Sequence, residues 1–191
     1  METITIQIFQ ADVYAEVAKA TDYTGSKLID GDENARDRIL AADDDLAELG
    51  RFWEESVLAT NENFKEMLVS GKTKQIAVSS SLIDPILPPV EPIQPFNPDI
   101  AVQSVAAPAV TLPLSKPGYE AVIEVSKSFD KTLTASVQST LRSYFIASII
   151  GQWFKFANKG EAKDYFMQAS EMLETAERLL YSRRKPTRPN D

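Results

Sequence analysis

The chain has 191 residues, 43% of them apolar and 25% charged, which allows one folded domain with a hydrophobic core and excludes wholesale disorder. Its formal net charge of −8 repels nucleic acid and anionic lipid, so neither is expected as the main partner of the surface. The sequence contains no cysteine and no histidine, which excludes disulfides and thiol chemistry and lowers the expectation of catalysis or zinc binding.

The chain opens with alternating isoleucines, which predict a β-strand over residues 3–9. Such alternation is not typical of a secretory signal. Asp12 is then expected to cap a short helix, and a glycine-containing polar loop is predicted over residues 22–32.

A long amphipathic helix is predicted next, from about Glu33 to Val69. This stretch lacks proline, and its apolar residues recur at steps of three and four. Gly50 interrupts the stripe and indicates either the close approach of another helix or a division of the element in two. The stripe consists of Ile39, Ala42, Leu46, Leu49, Trp53, Val57, Thr60, Phe64 and Leu68.

Three consecutive acidic residues, Asp43, Asp44 and Asp45, lie within this predicted helix. Consecutive positions of an α-helix differ by about 100°, so the three carboxylates spread over about 200° and do not converge on one ion. No metal site is therefore expected here. The pattern fits a solvated acidic surface or a contact with a basic partner surface.

A proline-rich segment follows Gly71. Residues 72–117 contain nine of the eleven prolines and no glycine, interleaved with Ile, Leu, Val and Phe96. Proline favours extended backbone, and an extended segment cannot bury its own apolar side chains. These side chains therefore require another surface, on the same subunit or on a neighbour.

Runs of strand-forming residues flank this segment. Lys74–Ser79 precede its first proline, Pro85, and Tyr119–Val125 follow its last, Pro117. The two runs are predicted to pair as a β-hairpin with the proline-rich segment as its oversized loop, because the cost of closing a loop rises only slowly with its length.

Two helices are predicted to close the fold. The first begins at a cap provided by Thr132 or Thr134 and ends near Asn158, and the second runs from about Glu161 to Tyr181. The short break between them, with glycine at position 160 suited to a helix C-terminal cap, predicts an antiparallel pair.

The first of these helices is rich in aromatic residues, which are expected mainly in the core. Trp153, Phe154 and Phe156 are too close in sequence to face one core together, so at least one is expected to be covered by another subunit. Glu54 and Glu55 beside a tryptophan could be read as acid–base carboxylates, but the polar face of an amphipathic helix is the favoured interpretation.

The chain closes with a basic, proline-containing tail. Its four cations are Arg183, Arg184, Lys185 and Arg188. A solvated end, docking on an acidic partner and contact with nucleic acid are all compatible with this pattern, and the acidic body favours the first two.

Three stretches of the sequence carry a family resemblance. They are AADDDLAELGRFW at 41–53, SVQSTLRSYFIASIIGQWF at 136–154 and EAKDYFMQASEMLETAERLLYSRRKP at 161–186. In this order they resemble the head–tail connector proteins of tailed phages and prophages, also called adaptor or neck proteins. The resemblance covers roughly residues 11–70 and 130–185. The long proline-rich insert and the N-terminal strand depart from the usual pattern of the family.

The resemblance implies a non-enzymatic virion subunit without a cofactor, made in the cytoplasm of the host bacterium and located in the neck of the virion. Copies would form a ring, often of twelve subunits, beneath the portal protein and would bind tail or neck proteins. DNA would pass through the channel of the ring with only non-specific contacts, and no membrane partner is implied. Contacts with neighbours would come from the proline-rich insert, which we call the arm, and from the four tail cations. The three aspartates would face the channel. The arm residues are Ile86, Leu87, Pro88, Pro89, Ile93 and Phe96.

The predicted fold is mainly α, an antiparallel bundle of about four helices with a small β-hairpin that carries a long, extended, proline-rich insertion. Residues 1–70 and 119–182 would form one helical core domain that includes the strand at 3–9. Residues 71–118 would supply the hairpin strands and the arm, and residues 183–191 the tail. Two other functions fit the sequence: another phage structural role, such as tail completion or capsid association, and a small helical regulatory binding protein or enzyme.

Overall fold

The computed structural model describes residues 1–27, 40–41, 45–78 and 115–184. In these ranges the protein is mainly α-helical, with four helices and one three-stranded antiparallel sheet. The chain divides into two units, one of Met1–Ile76 with Lys116–Asp191 and the other of Ala77–Ser115. The packing described below belongs to the first unit.

Strand β1 (Glu2–Phe9) leads directly into helix α1 (Gln10–Lys27). The alternating isoleucines of β1 are buried, as their pattern predicts. Asp12 lies inside the first turn of α1 instead of capping it, and the helix continues through the first residues of the expected loop. This extension has a packing reason, because Thr21 is fully buried and its hydroxyl accepts a hydrogen bond from the Ala41 N–H at 3.1 Å.

Helix α2 (Leu46–Asn63) is shorter at its C-terminal end than the sequence predicts. Instead of continuing to Val69 the chain turns, and two successive N–H groups donate to the carbonyl of Phe64 at 2.8 Å. Strand β2 (Leu68–Ala77) follows at once. Within its predicted beginning, residues 33–45, the structure describes Leu40, Ala41 and Asp45, and Leu40 and Ala41 are not helical, so the prediction is wrong there. The other residues of 33–45 lie outside the described residues.

The central strand of the sheet is β3 (Ser115–Val125), which lies between β1 and β2. The two runs expected to form a hairpin are therefore neighbours, and both strands begin at least four residues earlier than predicted. On its other side β3 pairs antiparallel with β1, in a register that places Ile6 opposite Ala121. The β-structure is thus a three-stranded sheet and not only a hairpin.

Glu120 connects all three strands through its carboxylate. Its Oε2 accepts a hydrogen bond from Gln7 Nε2 on β1 at 2.9 Å, and its Oε1 lies 2.5 Å from Lys74 Nζ on β2. The hydrogen bond from Lys74, and to a lesser extent the hydrogen bond from Gln7, holds the pKa of Glu120 below its ordinary value.

The closing helices, α3 (Thr134–Ala157) and α4 (Lys159–Leu180), agree with the predicted pair to within two residues at each end. The expected threonine cap is wrong. Asp130 instead accepts the Thr132 N–H at 3.1 Å and caps the short 3-10 turn (Lys131–Leu133) that leads into α3.

The break between α3 and α4 is one residue long. Asn158, with φ −148° and ψ 85°, separates the helices, and Gly160 lies in the first turn of α4 instead of capping α3. The two helices pack closely, as shown by the Phe154 and Tyr165 rings, which meet edge to face with centroids 5.5 Å apart.

The hydrophobic core lies between the sheet and the helices. The Phe145 ring of α3 contacts Trp53 of α2 and Tyr119 of β3, with centroid distances of 4.8 Å and 5.4 Å. Aromatic contacts of this kind join a helix pair and a strand into one packed body. The largest fully buried side chains include Trp53, Tyr119, Phe64, Phe145, Phe154, Ile6, Ile8 and Ile123.

Candidate interaction surfaces

Most of the sequence-predicted contact residues lie outside the described part of the chain. These are the arm residues Ile86, Leu87, Pro88, Pro89, Ile93 and Phe96, the aspartates Asp43 and Asp44, and the tail cations Lys185 and Arg188. The structure does describe Asp45, Arg183 and Arg184. Asp45 is half-buried at the residue preceding α2, and its side chain makes no capping hydrogen bond to that helix.

The beginning of the basic tail is fixed to the body of the protein by backbone contacts. Arg183 forms an antiparallel bridge with Phe129, and the Arg184 N–H donates to the carbonyl of Ser128 at 2.7 Å. Both arginine residues are exposed. The position of these two cations is therefore set by the fold, while their charges are available to a partner.

A groove lies beside these arginines, and we call it the sheet-end groove. Four segments enclose it: the N-terminal residue, residues 66–67, residues 124–127 and residues 180–183. The cavity measures about 570 Å³, which is within the range of a few hundred to a thousand cubic ångströms usual for ligand sites.

The sheet-end groove combines apolar and charged residues. Val125 and Leu180 are buried and Met67 is half-buried, which gives the groove an apolar component. Exposed lining residues carry both signs of charge, with Lys127 and Arg183 facing the same cavity as the carboxylates Glu66 and Glu124. A groove with an apolar component and charged residues of both signs can bind a segment of polypeptide or a small ligand.

A second candidate surface is an aromatic patch formed by Phe156 on α3 and Phe166 on α4. Their side chains are 75% and 40% exposed. The ring of Phe166 covers Gly151, where an added Cβ would lie 3.2 Å from the ring. Both phenylalanines border a cleft of about 260 Å³ that Arg51 of α2 also lines. Exposed aromatic residues beside a charged rim are typical of a protein–protein contact.

The aromatic patch matches one part of the sequence analysis. Trp153, Phe154 and Phe156 were expected not to face one core together, and the structure buries Phe154 fully, buries Trp153 partly and exposes Phe156.

The carboxylates beside Trp53 contact neighbouring side chains through a hydrogen bond and an ion pair. Glu54 and Glu55 are exposed, and Glu54 Oε1 accepts a hydrogen bond at 3.1 Å from the hydroxyl of Thr73, which itself accepts one from Trp53 Nε1. Glu55 lies 3.9 Å from the Arg51 guanidinium. Among the described residues, no three acidic side chains are grouped so that they could hold a metal ion.

Sequence reasoning did not find the sheet-end groove. Its lining comes from four segments that are distant in the chain, and none of these segments carries a motif. The only available signal was the basic stretch that begins at Arg183, which marked one of its edges.

Comparisons with known proteins gave no match. No protein-family model, no curated protein and no solved structure matches this chain. Within the part of the chain that the structure describes, no helix has both the length and the apolar character needed to cross a membrane.

Proposed function

We propose that the protein is a structural subunit of a tailed-phage virion, a head–tail connector whose copies form a ring beneath the portal and join the capsid to the tail. Its action is mechanical and electrostatic. The ring extends the DNA channel and offers the tail a docking platform. This proposal takes its identity from the sequence resemblance and its physical support from the surface of the folded domain.

The exposed aromatic patch is the observation that carries the proposal. Phe156 is 75% exposed although it belongs to a helix whose other face is buried in the core. Covering one aromatic side chain contributes about 1.5–3 kcal/mol, and a ring covers the same patch on every copy. A subunit built for side-by-side contact gains stability from this patch, whereas a monomer leaves it in water.

The finer features of the fold also belong to this proposal. The four helices act as an antiparallel bundle that supports the subunit contact, and the proline-rich insertion of the sheet reaches a neighbouring molecule. Arm residues Ile86 to Phe96 supply apolar contact, and the cations at Arg183 and Arg184 meet an acidic partner surface. Asp43 to Asp45 face the channel, where their charge repels DNA and keeps it from adhering.

Light scattering and negative-stain microscopy of the purified full chain test the assembly. Rings are expected, alone or with the portal protein of the same phage. A persistent monomer that binds no portal or tail component contradicts the proposal. Antibody labelling of virions then distinguishes the connector from the other structural roles, because a label at the capsid surface or the tail tip would favour those roles.

The substitution Phe156→Ser tests the patch itself. We expect ring formation to be lost while the free energy of unfolding of the isolated subunit stays nearly unchanged, since substitutions at exposed positions usually alter stability by no more than about 0.5 kcal/mol. Leu58→Ser is the matched control, because Leu58 is a similarly exposed apolar residue on α2. Rings that persist in the Phe156 variant would show that this patch is not the subunit contact.

A further inference from the structure

We infer that the sheet-end groove receives residues 79–114 of a neighbouring copy, the part of the proline-rich segment that lies between β2 and β3 in the chain. This inference rests on the proposed ring, because it needs copies of the chain side by side. It adds to that proposal the receiving site, the occupant and the direction of the contact.

The groove and the segment are matched in apolar character. The groove presents Val125, Leu180 and Met67 along an open cavity of about 570 Å³. The sequence of the segment interleaves prolines with Ile, Leu, Val and Phe. Proline favours extended backbone, and an extended chain cannot bury its own apolar side chains. An open groove with an apolar component gives such a segment the surface that it lacks.

The charges of the segment can pair with the cations of the groove. The only ionisable side chains between positions 79 and 114 are Asp84, Glu91 and Asp99, so the segment is purely acidic. The groove carries Lys127 and Arg183 against its own two carboxylates, and Arg184 and the remaining tail cations follow immediately in the chain. Lys127 and Arg183 are exposed, so each can pair with a carboxylate of an acidic occupant and guide its approach.

The groove lies at one end of strand β2, and the chain continues into the segment from the other end of that strand. Strand β2 begins beside the groove, at Leu68, and ends at Ala77, close to where the segment begins. Ten residues of strand correspond to a separation of about 30 Å. When the segment of one copy binds the groove of the next, the contact is head-to-tail. Such contacts close into rings when the rotation between copies allows it.

The length of the segment is sufficient for this contact. Its 36 residues, from 79 to 114, go out and return, so each limb has about 18 residues and reaches about 60 Å at full extension. This exceeds the length of the sheet and permits contact with an adjacent copy. The same length would permit docking in the parent chain, so the test must distinguish the two.

Photocrosslinking from inside the groove makes this distinction. Tyr181 lines the groove and is 58% exposed, so p-benzoylphenylalanine can replace it without disturbing the core. Full-length protein with this residue, unlabelled, is mixed before assembly with 15N-labelled wild-type chain, irradiated and digested for mass spectrometry. We expect crosslinks to labelled peptides from residues 79–114. The same probe in place of Leu58, outside the groove, should not capture them.

Charge reversal supplies the second readout. The double variant Lys127→Glu with Arg183→Glu is expected to lower the yield of these crosslinks by about tenfold, the effect of losing two exposed ion pairs. Lys163→Glu, an exposed cation on α4, should leave the yield unchanged. A labelled partner with Asp84→Lys and Glu91→Lys should restore capture by the reversed groove.

Each contrary result points to a different failure. Crosslinks confined to unlabelled arm peptides of the same chain would overturn the contact between copies. A light-scattering oligomer whose groove probe captures no arm peptide would overturn the groove assignment and leave the ring intact. A chain that stays monomeric, captures nothing and binds no portal or tail component would overturn both the inference and the proposed function.

Discussion

Tyr119 shows how one residue can join three elements of this fold. Its ring is fully buried against Phe145, and its hydroxyl donates to Asn61 Oδ1 of α2 at 2.9 Å. The amide of Asn61 in turn donates to the Gly71 carbonyl of β2 at 3.0 Å. Burial raises the pKa of Tyr119 well above its ordinary value of 10.0, so its proton is retained for this hydrogen bond at any physiological pH.

The substitution Tyr119→Phe removes one hydroxyl from this series of hydrogen bonds. We expect it to lower the free energy of unfolding by about 1–2 kcal/mol, because the Asn61 oxygen loses its donor in a partly buried position. Urea denaturation followed by circular dichroism gives this value. Tyr181→Phe, at an exposed position, is the control and should change stability by less than about 0.5 kcal/mol. Equal effects of the two substitutions would contradict the structural role of the hydroxyl.

Glu120 provides the pH-dependent contact of the sheet. Because its pKa is lowered in the folded protein, the carboxylate stabilises the fold at pH values above 4.5, its ordinary pKa. This contribution is lost as the pH falls through the folded pKa. We expect Glu120→Gln to be less stable than wild type by about 0.5–1 kcal/mol at pH 7. At pH 3 the two proteins should approach each other in stability.

Denaturation curves at the two pH values check this expectation. Glu124→Gln is the control, because Glu124 is exposed on the same strand. A difference between Glu120→Gln and wild type that stays the same at pH 3 would show that the link to Lys74 and Gln7 does not depend on the charge of Glu120.

Among the elements, β3 and α2 each contain a glycine, with opposite surroundings. An added Cβ at Gly118, in β3, would lie 2.5 Å from the Ile8 carbonyl oxygen and 2.8 Å from Ile76 Cδ1, so both neighbouring strands approach it closely. Around Gly50, which is half-buried in α2, no described atom other than those of its chain neighbours and its own helix backbone lies within 4 Å of the same position. Helix α2 also runs unbroken through Gly50. Among the described residues, the expectation that Gly50 divides its helix or admits another helix is therefore wrong.

The pair Gly118→Ala and Gly50→Ala tests this contrast. We expect Gly118→Ala to destabilise the protein by about 1–3 kcal/mol, because the added methyl group forces adjacent strands apart. Gly50→Ala should stabilise it by about 0.5–1 kcal/mol, the usual gain from removing glycine inside a helix. Thermal unfolding of the two variants gives both signs, and effects of the same sign would contradict the described packing.

The accuracy of the sequence prediction differs among the elements for physical reasons. Helices α3 and α4 were predicted to within two residues because each exceeds twenty residues and carries a continuous apolar stripe. The start of β2 was missed because Leu68 lies four residues after Phe64 and so continues the helical pattern. Pairing with β3 decides the outcome, through the hydrogen bond from the Glu124 N–H to the Met67 carbonyl at 2.7 Å.

At the scale of the whole molecule, the sequence predicts an interaction surface only where the residues of that surface are adjacent in the chain. Exposure of one aromatic residue near Phe156 follows from the angular spacing of a helix, which is a local rule. The sheet-end groove depends on how β1, β2, β3 and α4 meet, and no single segment encodes that meeting. Long-range contacts of this kind become visible only after the strand order is known.

Deleting the proline-rich segment tests the whole assembly, and the observed ends of β2 and β3 define which residues to remove. Since β2 ends at Ala77 and β3 begins at Ser115, residues 80–114 can be replaced by an Asn-Gly turn without shortening either strand. Closing a loop about three doublings shorter should make the domain about 2 kcal/mol more stable. Ring formation, or incorporation into virions, should nevertheless be lost.

A full-length variant controls for the change of connectivity. Serine in place of Ile86, Leu87, Ile93 and Phe96 keeps the length and the prolines but removes the apolar side chains. If these side chains serve assembly, this variant and the deletion should fail in the same way, as judged by light scattering and by the infectivity of complemented phage. Normal assembly of the deletion variant would mean that the segment has another role, and assembly of the serine variant alone would mean that its length, not its adhesion, is required.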